Sequence, residues 1–440
     1  MNPIEFIHDV SWQDIPEEVH MQTKRCLLDT IGVAIGGKQT DLSRIIYNHA
    51  ASVFGGVDAN LWLDGRSTSM VGAALAHGMS IDSLDMHDSC RPVKGHAGVA
   101  LVPAALATIG LNNRGDINGR ELLTTLTMAY DIATRTGIAQ HNTVCDYHTS
   151  GSWNAVGSAA TVARQMGLSI EQTRHALGIA EYHGPRSQMM RAIDYPTMVK
   201  DGSGWGAMAG VSAGLLAADG FTGAPAITVE AENVAEYWAD LGEEWLVMIH
   251  YFKPYAVCYW AQAALAGAMQ IVKENRIDHQ DIQKIRVYTF HESSRLAMRH
   301  PAKTDEAQYS LPFPMGALLV HGRLSLEELN GENLYHPDVL RISELVELIE
   351  EDYFNDRFPA ERLSRVEIDT CDGNCFDSGV VRPLWDLTAP ATNEDLLKKF
   401  RTLANQYLSA KVADELESMI WNIETLEEVS NLNRLLTEAK

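Results

Sequence analysis

Four segments, SMVGAALAHGMSIDSL, HAGVALVPAALATIG, AVGSAATVARQMGL and WGAMAGVSAGLLAADGF, are apolar on most faces and crowded with glycine, alanine and serine. Side chains this small let helix backbones approach closely, and a helix that is apolar all round has to be buried. Each run is interrupted by His, Asp, Arg or Gly before it reaches the ~20 apolar residues needed to span a bilayer. They are expected as core helices of a bundle. QDIPEEVHMQTKRCLLDTIGVAIGG adds a further helix, with Asp14 placed to cap, Pro16 at a permitted early position and a Gly-Gly stop.

After CYWAQAALAGAMQIVKENR the texture changes. KIRVYTF (284 to 290) and RVEIDTCDG (365 to 373) alternate apolar with polar residues as half-buried strands do, and the second ends in an Asp-Gly turn signal. Between them AQYSLPFPMGALLVHG and ISELVELIEEDYF read as helices. A chain of 440 residues is long enough for two domains. The expectation is therefore a mainly α protein: a large helical domain over 1 to 265, completed by helices in 397 to 440, and a smaller α+β lid over 266 to 396. A cleft between them is the default site.

The formal net charge of -23 repels phosphate backbones and anionic membranes, so neither nucleic acid nor a membrane is an expected partner. An anionic substrate would need a local pocket of positive charge, which draws attention to Arg91, Lys94 and Lys200. The six cysteines lack paired spacing, and the first residues lack a basic start followed by an apolar run, which fits a reducing cytoplasm. CDGNC is read as two strand cysteines flanking a hairpin turn, and Cys258 as packing or pocket lining.

DMHDSCRPVKGHAG (85 to 98) sets an unusual density of ionisable groups between two buried-looking helices. Asp82, Asp85 and Asp88 would share one face if the preceding helix continued to 88, and His96 would open the next helix. Three readings compete. A short acidic loop could cap two helices. Asp85, His87, Cys90 and His96 could ligate a metal, although no HxxxH or HExxH spacing is present. A metal-free proton-transfer site would need an acid, a base and cations for an anionic substrate, and the stretch holds candidates for each. His77 and His183 read as satisfied internal histidines, and GSGWGAMAG follows no strand that would make it a dinucleotide loop.

The form D-x-x-D-[ST] followed by Pro and then His opening an Ala-rich helix resembles the signature of the MmgE/PrpD family. LLDTIGVAIGG, YHTSGSWNAVGSAATVARQMGL, VKDGSGWGAMAGVSAGLLAADGFTG, FKPYAVCYW and AQYSLPFPMGALLVHG are similar to further family segments in the same order. The resemblance implies a helical domain with an α+β lid, a homodimer, a site between the domains, and no metal or organic cofactor. It places Asp85, Ser89, His96, His148 and Lys200 at catalytic positions, with Arg91, Lys94, Ser310 and Phe313 as candidate substrate contacts. Ser203-Gly204 stands where many members have a histidine, Phe313 where decarboxylases of the family have a tyrosine, and Tyr259 and Gln262 where an Arg and a His are frequent. DMHD likewise replaces a more usual Asp-Phe-Asp-Asp.

The chemistry implied is proton transfer at a carbon beside a carboxylate in a small di- or tricarboxylate. The expected activity is a lyase, most simply a 2-methylcitrate-type dehydratase. A cis-aconitate-type decarboxylase or an iminodisuccinate-type epimerase is the near alternative. A metal-dependent hydrolase using Asp85, His87 and His96 is the rival of another class.

Overall fold

The computed structural model describes residues 2–110 and 116–438. Its helical layer is built on α1 (Glu17–Gly37), α2 (Met70–Asp82), α3 (Gly98–Ala107), α4 (Gly119–Thr143), α5 (Gly151–Met166) and α6 (Ser203–Ala218). Glycine sets how closely they pack. A Cβ added to Gly210 of α6 would stand 2.4 Å from the Ala155 carbonyl of α5, and one on Gly78 of α2 would stand 2.6 Å from Cα of Gly204. The small-residue segments are thus buried through backbone contact, and no helix among the described residues is long and apolar enough to cross a membrane.

The second layer begins with α7 (Tyr259–Asn275) and carries a four-stranded sheet: β1 (Ile282–Thr289), β2 (Val346–Glu350), β3 (Ser364–Thr370) and β4 (Cys375–Val381). Their order is β2-β1-β3-β4, with β1 parallel to β2 and the other pairs antiparallel. Alternate residues of β3 are buried, and α7 lies along β3 and β4 with Gly267 against Val366 and Val381. The expected division at residue 265 falls inside α7, a single helix seated on the sheet. The chain then returns through α8 (Asn393–Ala404) to α1, where Phe400 and Leu403 meet Gly32 and Gly36.

Four local expectations change. ISELVELIEEDYF is a helix end, the strand β2 and a short turn of helix, because Val346–Glu350 finds a parallel partner in β1. Asp14 accepts from Ser11 in a 3-10 turn and does not cap α1, which starts behind Pro16. Cys371 lies in the hairpin turn, and only Cys375 is on a strand. The helix before the ionisable stretch stops at Asp82, and His96 precedes α3 by two residues.

Candidate active site

Because α2 ends at Asp82 and Asp85 takes a positive φ of 48°, Asp82, Asp85 and Asp88 do not share a helix face. All three are buried. The loop is held from three directions. Ser89–Cys90 pairs antiparallel with His250–Tyr251, which brings the His250–Lys253 segment alongside. Asp88 meets His250 Nδ1 at 2.8 Å, and Lys253 Nζ donates to Asp85 Oδ1. From α8, Lys399 Nζ donates to the Met86 carbonyl and to Asp29, each at 2.6 Å. Burial opposes charge on His250, yet the Cys90 sulfur and Asp88 outweigh it and raise the imidazole to about 10. His250 is therefore a positive strut under the loop.

Above this base is a small cavity between the layers, about 30 Å³ in volume, walled by Asp85, Ser89, Lys94, His96, Asp201 and Arg362. Tyr147, Tyr251, Tyr259, Trp260, Tyr309, Met189 and Cys258 complete it. That is room for roughly one or two waters. His96 Nδ1 lies 2.6 Å from the Asp88 carbonyl, which can only accept, so Nδ1 carries the hydrogen. Nε2 has no hydrogen-bond partner among the described residues. Burial, then Lys253, holds His96 down to about 4, so the free site has a neutral imidazole with a bare Nε2. Asp201 is the opposite case: burial and the neighbouring Asp82 hold its carboxyl well above the usual range. Asp82 is itself raised to about 7 by burial and Asp85.

Of the residues expected from sequence, Asp85, Ser89, Lys94 and His96 come together on this wall. Lys200 is buried just behind it, donating to Gln308, 3.1 Å from Asp305 and over the Tyr309 ring. His148 is buried but does not line the cavity; its Nε2 is 3.7 Å from Asp146. Arg91 is spent on Asp386 at 3.3 Å. Ser310 donates to the Met298 carbonyl and caps the turn into Phe313, whose ring is core packing. Neither Ser310 nor Phe313 touches the cavity, because it is Tyr309 that the chain turns inward. The sequence patterns do not point to Lys253, Asp201, Tyr251, Tyr309 or Arg362. Lys253 sits inside the Lys-Pro-Tyr segment, and Asp201 and Tyr309 adjoin the candidates Lys200 and Ser310, whereas Arg362 has no local signal at all.

The departures from the family pattern also sort by position. A Cβ on Gly204 would lie 2.6 Å from the Met79 nitrogen and 2.7 Å from the Leu75 carbonyl, so that change belongs to helix packing. Gln262 ties the Tyr255 and Val257 carbonyls. Of Ser203, Gly204, Tyr259, Gln262 and Phe313, only Tyr259 lines the cavity. Of the residues in the metal reading, Asp85 is engaged by Lys253, and His87 is buried with its Nε2 3.8 Å from Asp82. Among the described residues no group of three His, Cys, Asp or Glu side chains is placed so as to hold a metal ion.

The profile of the MmgE/PrpD N-terminal domain matches residues 4–240, and that of the MmgE/PrpD C-terminal domain matches residues 255–425. The chain is 24% identical over 452 residues to cis-aconitate decarboxylase of Homo sapiens, an alignment covering 98% of this chain and 92% of that protein. The Mus musculus cis-aconitate decarboxylase is 22% identical over 457 residues, covering 98% and 91%. That of Aspergillus terreus is 22% identical over 467 residues, covering 97% and 94%.

Proposed function

The chain belongs to the MmgE/PrpD family, and from that premise we propose that it is a lyase that decarboxylates a small unsaturated polycarboxylate of the cis-aconitate type. The relatives favour this reading over 2-methylcitrate-type dehydration, since the human, mouse and Aspergillus terreus proteins that align along nearly the whole chain are cis-aconitate decarboxylases. The observation that carries it is the cavity itself, where a bare imidazole, a buried carboxyl pushed toward its neutral form and cations meet an aromatic wall.

Loss of carbon dioxide from a carboxylate β,γ to a double bond moves the breaking C–C pair into a new double bond. The old π pair then takes up a proton at its far carbon. The step needs one positioned proton, cations for the carboxylates that stay, and an apolar face for the one that leaves. His96 is a suitable carrier: a bound polyanion favours the imidazolium, and Nε2 then holds a proton toward the substrate. Asp201 can donate a hydrogen bond to a retained carboxylate. Asp85 holds the Lys253 ammonium in place. Trp260 and Tyr309 give the departing carboxylate a poorly solvating surface.

Incubation with cis-aconitate and, separately, with 2-methylcitrate in heavy water tests the reading. Expected are carbon dioxide and a product carrying one carbon-bound solvent deuterium from cis-aconitate, with no turnover of 2-methylcitrate. Water loss from 2-methylcitrate without carbon dioxide release would restore the dehydratase.

A further inference from the structure

Arg362 is only 3% exposed, yet it has no carboxylate partner among the described residues. It stands two residues before β3, on the lid side, and reaches across to the helical layer. Its Nη1 donates to the Tyr251 hydroxyl and its Nη2 to the Arg91 carbonyl, both at a long 3.4 Å, while Nε is buried with no partner. A buried charge left unpaired is costly, and neutral acceptors at that distance do little to offset it. The other cations nearby are matched: Arg91 by Asp386, Lys200 by Asp305 and Lys253 by Asp85. Lys94 is the exception. Its Nζ sits 4.8 Å over the Tyr147 ring with no ion pair among the described residues, and it lines the same cavity.

Resting on the polycarboxylate reading above, we infer that Arg362 and Lys94 form a two-sided carboxylate clamp that fixes substrate specificity, one jaw on each layer of the fold. The guanidinium takes one carboxylate in a forked contact through Nε and an Nη; the ammonium takes a second. Tyr259 seats the clamp. Its ring lies 5.5 Å under the Arg362 guanidinium, and its hydroxyl is buried without a partner, leaving one more donor for the ligand. The position where the family often has an arginine thus carries an aromatic platform, and the positive charge comes from the lid. Mutual repulsion fits the assignment: burial first, then Arg362, pushes Lys94 down, with Glu292 a partial offset. An anion between the jaws relieves that repulsion.

The probe is tricarballylate, a saturated tricarboxylate that cannot react, compared with its monomethyl esters, which have one carboxylate fewer. Calorimetric titration of the full chain should show Arg362→Gln weakening tricarballylate roughly 10- to 100-fold. At least one ester should weaken far less, because the group that the guanidinium held is already gone. Arg362→Lys should fall between, keeping charge without the fork. Equal losses for triacid and every ester would make Arg362 a structural tie and overturn the clamp, as would unchanged affinity in a variant that melts like the wild type. If the wild type binds none of these acids nor turns over cis-aconitate, the polycarboxylate reading fails and the clamp with it. Wild-type turnover with an indifferent Arg362→Gln sinks the clamp alone.

Discussion

His96 differs from an ordinary surface histidine in both its nitrogens, and each difference has a measurable effect. With Nδ1–H fixed on the Asp88 carbonyl and burial holding the ring down to about 4, the free protein carries it neutral at pH 7. A trianion a few ångströms from Nε2 raises that value, so binding should draw a proton from solution. Titrations of tricarballylate at pH 6 in buffers of different ionisation enthalpy should show net proton uptake, largely abolished in His96→Gln; identical uptake in that variant would remove His96 as the carrier. The kinetic counterpart follows by sign. If the imidazolium is the working form, kcat/KM, which reports the free enzyme, declines as pH rises above about 4, whereas kcat holds to a higher pH because the bound anion keeps the proton on. Loss of this group should lower kcat by ~10²- to 10⁴-fold with little change in melting.

At the scale of elements, α8 acts as a brace for the site loop. Lys399 donates to the Met86 carbonyl and at the same time to Asp29 of α1, so one ammonium fixes loop, first helix and returning helix together. Lys399→Met should cost about 3–5 kcal/mol in denaturant unfolding, because it leaves a buried carboxylate unpaired. Asp29 is already raised to about 6, burial outweighing Lys399, and without the lysine it rises further. A carboxyl raised above its unfolded value contributes stability below the unfolded value and loses it as pH rises through the folded one. The variant should therefore be hurt more at pH 8 than at pH 5; a pH-independent loss would mean that Asp29 is not the group left stranded. Neither residue was legible in the sequence, since 370 positions separate them and each sits at an unremarkable place on an amphipathic helix. What could be read was local. The glycine and alanine texture announced close-packed helices, and alternation announced β1 and β3. Val346–Glu350 kept a helical look because its strand character comes from pairing with β1. The loop with Asp85, Ser89 and His96 was visible as a cluster along the chain, whereas Lys253, Asp201 and Arg362 reach it only through folding.

For the whole molecule the question is how an anionic substrate approaches a chain of net charge -23. The cavity is too small to receive it as described, so approach and opening come before any contact with Lys94 or Arg362, and at that stage the substrate meets the summed field of the surface. That field is negative and reaches about a Debye length, which shrinks from ~30 Å at 0.01 M salt to ~10 Å at 0.1 M. The groups of the closed site are buried and screened much less. Raising ionic strength should thus remove repulsion outside while leaving most of the attraction inside. The expected result is a rise of about two- to fivefold in kcat/KM for a polycarboxylate between 10 and 150 mM salt, with kcat nearly unchanged. Steady-state rates in a salt whose anion binds weakly would show it. A steady fall over the same range would mean that the local cations already dominate the field at the mouth of the site, and that the acidic surface has no part in substrate capture.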